Sequence, residues 1–447
     1  MFLFLVTLAP ALAYPGCTES FVTHHVEFSR NADQHVPFAP PASRRLHQSS
    51  LACASSTTSR TVDAASSPDG IFPARLAAMD FTTTCAVVVA GLVYAHRLVC
   101  VTPPGALRLV LLLPCVAVNA GVPTLRMSPF GPSPGVLACA VAIANFGWWT
   151  NFKLLALSAG RGQLAGCSSL PTFLAVGALP IRLSDERARA GIRRGERAGP
   201  IPPAEHFALA LLKLFLLAVC LVVIPRTSEA SAARHLAQSF GLYAILGAIM
   251  DVASLVAAGV FGLHLAPHFD KPFLAASISE FWAQRWNLVA GAMLRDLVYA
   301  PIVGADDTAS SSSSSSRTRP PSRLRMRPIP HPVRSAAATV ACFAASGAMH
   351  EFIFWYLVGS PLRVDGRWAL FFLAQAPVVL LERAARRSRR LAALLRETPR
   401  PVAVVVALGA QLALANALFF PPVAETGLDR RVVEDVRRLL FRESQGN

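Results

Sequence analysis

Charge is what this sequence has least of. Of 447 residues, 15% are Asp, Glu, Lys or Arg, against 53% hydrophobic, and the mean hydropathy is +0.46. Soluble domains carry about 25% charged residues, so an ordinary soluble globular protein is excluded. Acidic residues are scarcer still, 26 against 42 basic, for a formal net charge of +16. Such an excess can mark a nucleic-acid binder. Here the basic residues gather in short segments between apolar runs, the pattern of loops retained on the cytoplasmic side of a membrane, and no nucleic-acid partner is expected. The nine cysteines lack close repeated spacing, and Cys85, Cys139 and Cys220 fall inside apolar runs. That excludes a zinc cluster or a disulfide framework and leaves them as small buried hydrophobes, with no metal expected.

What the chain has instead is length without charge. Windows at about 81–99, 103–122, 134–158, 166–180, 205–225, 238–263, 335–358, 366–382 and 400–420 are almost free of it. Roughly 20 such residues cross a bilayer as a helix. The expected fold class is all-α, a polytopic membrane protein of about eight or nine transmembrane helices, with the fourth window short enough to be re-entrant or tilted.

The start of the chain, "MFLFLVTLAPALA", has the apolar core of a signal peptide but no positive region before it. Residues 1–78 as a whole read as a targeting or disordered segment, rich in Ser, Thr, Ala, Pro and Arg; Met79, just before the first apolar window, is an alternative start. Residues 79–421 form the expected membrane domain, with a disordered loop at 302–333 that contains the serine run Ser310–Ser316. A tail follows at 422–447. Three basic segments begin at Ile181, Arg317 and Arg383, with two apolar windows between each pair, so all three fall on one side. The positive-inside bias makes that side cytoplasmic. The segment "SISEFWAQRWN", from Ser277, falls there too, whereas the basic tail, one window further on, falls on the opposite side.

Polar groups at membrane depth are costly and mark cavities or pairs. In "SGAMHEFIFWYL", His350 and Glu351 sit well inside an apolar window. An imidazole can take a proton from a hydroxyl and return it to a leaving group, so His350 is a candidate general base, against the plainer reading of an interhelical hydrogen-bond partner. Glu351 points about 100° away and is expected to pair with a basic group of another helix. Ser346 and Gly347 allow a neighbour's close approach. In "NFGWWTNFKLL", Asn151 and Lys153 are either anchoring and structural groups or part of a substrate cavity. The segment from Ser277 has the composition of an interfacial amphipathic helix, with Phe281, Trp282 and Trp286 entering the headgroup boundary and Glu280, Gln284 and Arg285 near water.

Taken together, "FDKPFLAASISEFWAQRWNLVAGAMLRDLVYAPI", "SGAMHEFIFWY" and "NFKLLALSAGRG" resemble the plant wax synthase branch of the membrane-bound O-acyltransferase family, over about residues 80–421. The resemblance implies an MBOAT-like multi-pass enzyme of the endoplasmic reticulum membrane. Its substrates would be acyl-CoA, as cosubstrate with no tightly bound cofactor, and a long-chain alcohol; relatives also acylate sterols. It places the family's histidine at His350 and its amide position at Asn287, as base and oxyanion donor respectively. Arg285, Arg295, Trp286 and Glu280 are then expected to bind substrate, the two arginines meeting the coenzyme phosphates. Direct transfer in a ternary complex is expected in place of a covalent acyl-enzyme. A transporter and a catalytically silent lipid-binding membrane protein are the alternatives.

Overall fold

The structure is a computed structural model. It describes residues 81–121, 136–184, 202–228, 231–304, 331–358 and 365–441. Residues 1–78 and the serine run fall outside them. The described residues form one helical unit, joined by a single isolated antiparallel bridge between Leu183 and Leu265.

A helix occupies each of the nine apolar windows. In chain order come α1 (Phe81–Val101), α2 (Ala106–Gly121), α3 (Val136–Ala142), a π-helical stretch (Ile143–Thr150), α4 (Asn151–Ser158), α5 (Leu170–Ala178), α6 (Pro203–Val223) and α7 (Ala232–Phe261). Then follow α8 (Ile278–Glu280) with a π-helical turn (Phe281–Arg285), α9 (Leu288–Leu294), a second π-helical turn (Arg295–Tyr299), α10 (Ala300–Val303), α11 (His331–Val358) and α12 (Arg367–Arg387). The chain ends through α13 (Arg389–Glu397), α14 (Arg400–Leu414), a π-helical turn (Ala415–Phe419), α15 (Phe420–Glu425) and α16 (Leu428–Phe441).

Among the described residues, five segments are long and apolar enough to cross a membrane: Pro203–Arg226, Ala232–Phe261, His331–Val358, Arg367–Arg387 and Arg400–Glu425. Two of the other windows fall short for local reasons. The 16 residues of α2 reach about 24 Å at 1.5 Å per residue, under the roughly 30 Å of a hydrocarbon core. The window at 166–180 holds only the nine residues of α5, whose Phe173–Ala178 stretch is buried against protein instead of lipid.

Small residues set the helix pairs. The α6–α7 hairpin packs Leu217, Cys220 and Leu221 against Ala237 and Ala244. In the α11–α12 hairpin, a Cβ added at Gly347 would lie 2.7 Å from the Ala369 carbonyl oxygen, so only glycine lets the two backbones approach this closely. Side chains finish the helix ends. Ser231 and Asn287 accept from Arg234 and Ala290 N–H respectively, and the left-handed Gly262 closes α7.

Polar contacts mark the two ends of the bundle. At one, the Glu382 carboxylate accepts from Ile278 N–H and Ser279 N–H, each at 2.8 Å, and Arg400 reaches Glu280 at 3.3 Å. At the other, Arg367 pairs with Glu425, and Arg234 with Asp429 at 2.6 Å. The boundary expected at 421 does not separate a tail from the helical unit. It cuts α15, and α16 packs Val433 and Val436 into the α6–α7 cluster, at the end opposite Arg400 and Glu280. Of the loop expected at 302–333, Ile302 and Val303 close α10 and His331–Val333 belong to α11, and residues 305–330 lie outside the described residues.

Candidate active site

A cavity of about 640 Å³ opens among α7, α11, α12, α14 and the π-helical stretch after α3. Its walls are overwhelmingly apolar: Leu236, Phe240 and Tyr243 from α7, Phe371 and Phe372 from α12, and Val404, Val405 and Leu408 from α14. Of the residues singled out in the sequence, Phe281, Trp282, Trp286, Asn287 and His350 line it.

His350 is held in one orientation. Its Nδ1 lies 2.7 Å from the Ser346 carbonyl oxygen one turn back. Only a donor can bond to a carbonyl, so Nδ1 carries the proton and Nε2 keeps its lone pair. The ring is stacked on Phe372 at a centroid distance of 3.9 Å and meets Trp148 edge-on at 4.9 Å. Those rings exclude most other positions for the imidazole and leave Nε2 without a protein partner among the described residues. Trp148 reaches it because the backbone runs as a π-helix from Ile143 to Thr150, a local irregularity common at functional sites.

Asn287 has φ 38° and ψ 65°, the left-handed conformation, one of two positive-φ residues other than glycine among those described. Asn tolerates this region better than most side chains. Its Oδ1 accepts from Ala290 N–H at 3.2 Å, which fixes the amide and leaves Nδ2 as the group free to donate. The strained turn is clamped from outside. Leu288 N–H donates to the His268 carbonyl at 2.8 Å, and Asp270 N–H to the Arg285 carbonyl at 2.9 Å.

Arg285, Glu280, Arg295, Glu351, Asn151 and Lys153 do not line this cavity. Arg285 was placed at the coenzyme phosphates, yet every guanidinium nitrogen is engaged. Nε and Nη2 lie 2.7 and 2.6 Å from Glu280, and Nη1 donates to the Asp270 carbonyl at 2.8 Å. Glu280 also accepts from Ala276 N–H. Burial pulls its carboxyl upward, but that N–H, Arg285 and Arg400 outweigh it and hold the group below the usual range. The pair is thus a loop clamp. Arg295 is exposed and does not line the cavity. Glu351, expected to meet a basic group, instead accepts from Gly366 N–H at 3.1 Å and Ala369 N–H at 3.0 Å, capping α12 and satisfying its first free donors.

Asn151 bonds Asn119 at 3.1 Å and the Val116 carbonyl at 3.0 Å, tying α4 to α2. Lys153 is buried, with Nζ 2.6 Å from both the Val176 and Leu179 carbonyls at the end of α5. Phe281, Trp282 and Trp286, expected in the headgroup boundary, face inward to line the cavity, with Trp282 Nε1 donating to Gln375 at 3.2 Å.

One buried cluster was missed in the sequence. Asp251 on α7 pairs with Lys213 and lies 3.4 Å from His206 Nδ1, both on α6, while Ser254 Oγ is 2.6 Å from His268 Nε2. Gly247 leaves the space that the Lys213 stem fills. His206, Asp251 and His268 bring ligand atoms within 4.8 Å of one another, but the Lys213 ammonium already supplies the cation that balances Asp251. Ser254 in this cluster anchors His268, whose carbonyl accepts from Leu288 N–H beside Asn287.

Membrane-length helices closing an apolar cavity around a single oriented imidazole define an integral membrane protein built to act on lipid-soluble molecules. The sequence pattern of the membrane bound O-acyl transferase family matches residues 265–374, the stretch that carries both Asn287 and His350. Over 319 residues the chain is 30% identical to an acyl-CoA–sterol O-acyltransferase of Arabidopsis thaliana, spanning 69% of this chain and 81% of that one. It is 25% identical over 354 residues to a long-chain-alcohol O-fatty-acyltransferase of Simmondsia chinensis, spanning 78% and 90%. The chain belongs to the membrane bound O-acyl transferase family, in the plant wax synthase branch, and is an acyltransferase.

Proposed function

We propose that this enzyme transfers a fatty acyl group from acyl-CoA to the hydroxyl of a long-chain alcohol, forming a wax ester. The observation that carries this reading is the bare Nε2 of His350 in an apolar cavity that it shares with Asn287. The alcohol donates its proton to Nε2 while its oxygen attacks the thioester carbonyl. A C–O bond forms, the C–S bond breaks, and the proton passes to the departing coenzyme A thiolate. Asn287 Nδ2 donates to the oxygen that gathers charge in between, a fixed donor aimed at forming charge. The apolar walls hold the two chains and keep water from the thioester. In this reading acyl-CoA is a cosubstrate, no cofactor stays bound, the helices make eight or nine crossings of the endoplasmic reticulum membrane, and residues 79–421 carry the reaction.

A sterol acceptor is the second reading, favoured by the 30% identity to the sterol acyltransferase. Both are tested by expression in a host lacking neutral-lipid synthesis, fed hexadecanol or sterol with labelled acyl-CoA. Wax ester is expected from the wild type, and a loss of about 10²–10⁴-fold from His350→Ala at equal expression. Full activity in that variant would overturn the general-base assignment, and sterol ester alone would replace the acceptor.

A further inference from the structure

Between α12 and the Arg400–Glu425 segment that α14 opens, each long and apolar enough to cross the membrane, lies α13. Its nine residues span about 14 Å and no residue in it is buried. At 100° per residue, Leu391, Leu394 and Leu395 share an arc of about 100°, while Arg389, Arg396 and Glu397 fall on the opposite face and Arg390 on the flank. The three leucines are 48%, 62% and 49% exposed, so no protein covers the apolar face. Arg386, Arg387, Arg389, Arg390 and Arg396 are exposed and hydrogen-bond to none of the described residues. Both flanks are fixed, with Arg383 donating to Thr339 at 2.8 Å and Arg400 reaching Glu280 at 3.3 Å. The helix is therefore held at the same end of the bundle as the Ser277–Asn287 segment, with its leucines open and its arginines unspent.

We propose that α13 is an in-plane membrane helix that binds anionic phospholipid headgroups, its leucines entering the acyl boundary and its arginines meeting the phosphates. Two membrane-crossing neighbours leave it at the bilayer surface, and an apolar face flanked by arginine matches a leaflet that is greasy inside and negative at its rim. Coenzyme A carries phosphates too, but it would need only the arginines and would leave the leucine face uncovered.

The test uses the purified full chain in neutral detergent, titrated with dioleoylphosphatidylserine or dioleoylphosphatidylcholine, with retained lipid counted by native mass spectrometry. Phosphatidylserine is expected to be retained preferentially, in a salt-sensitive manner. The R386Q/R387Q/R390Q/R396Q variant should lose that preference by at least tenfold, since one basic side chain at an anionic surface is worth about fivefold in affinity. Its melting temperature with phosphatidylcholine reports that it is folded, and R390Q/R396Q takes its place if it is not. Equal retention of the two lipids, unchanged retention by a folded variant, or displacement of phosphatidylserine by micromolar free coenzyme A would each overturn the proposal. None of these readouts depends on ester formation.

Discussion

Adding one methyl group at Gly347 tests the geometry around His350 without touching it. The new Cβ would stand 2.7 Å from the Ala369 oxygen and 3.1 Å from the Ala369 Cα, both backbone atoms that cannot rotate away. Carbon–oxygen contacts ordinarily begin at about 3.3 Å, so α11 and α12 must part by roughly half an ångström or more, and such overpacking costs about 1–3 kcal/mol. Phe372 lies one turn beyond Ala369 and is the ring stacked on His350 at 3.9 Å. Moving α12 therefore unseats one wall of the imidazole's cage. Because a displacement of about 1 Å near the reacting atoms can reduce a rate about 100-fold, Gly347→Ala is expected to lower kcat about 10- to 100-fold and the melting temperature by several degrees. The assay is initial-rate ester formation in microsomes, normalised to immunodetected protein. Gly259→Ala is the control, since nothing lies within 4 Å of a Cβ there. Wild-type kcat and stability in Gly347→Ala would refute the close packing and its link to the imidazole.

Other substitutions separate scaffold from chemistry. Asn287→Gly keeps the left-handed backbone and should fold normally while losing about 10²–10³ in kcat with the Nδ2 donor. Asn287→Ala should in addition lose about 1 kcal/mol, because its Cβ is strained in the left-handed conformation, and equal activity in both variants and the wild type would exclude a role for the amide. Lys213→Met leaves Asp251 buried without its cation and should destabilise by about 3–5 kcal/mol, with Lys213→Met/Asp251→Leu recovering much of it; additive losses in thermal inactivation would refute the pairing. His268 gives a pH dependence. Burial drives its imidazole down to about 3 against the opposing pull of Asp251, whereas an unfolded imidazole titrates near 6.5. Below about pH 6.5 the unfolded chain takes up a proton that the folded chain does not, so stability falls as pH drops from there toward 3. The inactivation temperature should fall between pH 7 and 5, and His268→Gln should flatten that fall.

The apolar windows were legible because a bilayer crossing is a one-dimensional property of sequence, and a helix lies in every one. Their lengths were less so: a window of uncharged residues cannot distinguish α5, buried in protein, from a crossing. His350 stood out as a polar group at depth, yet Lys213 and Asp251 stand just as deep in their own windows and carry the same signal. Arg285 illustrates the opposite limit. Its charge was visible, but the Asp270 carbonyl that occupies it comes from a backbone turn that composition does not encode. Glu351 likewise has no side-chain partner among the described residues; it bonds to the free N–H groups at the start of α12.

The thin wall of the cavity has a kinetic consequence. Val405 on α14 lines the cavity while 71% exposed, Phe240 on α7 does so at 41%, and only 11% of the apolar window of the Arg400–Glu425 segment is buried. A lipid-soluble acceptor therefore meets the enzyme by lateral diffusion, and the quantity that sets its occupancy is mole fraction within the bilayer. Doubling the inert phospholipid in an assay at fixed total acceptor should depress the rate as though the substrate had been diluted, so a Michaelis constant in bulk molarity would describe the vesicle suspension more than the protein.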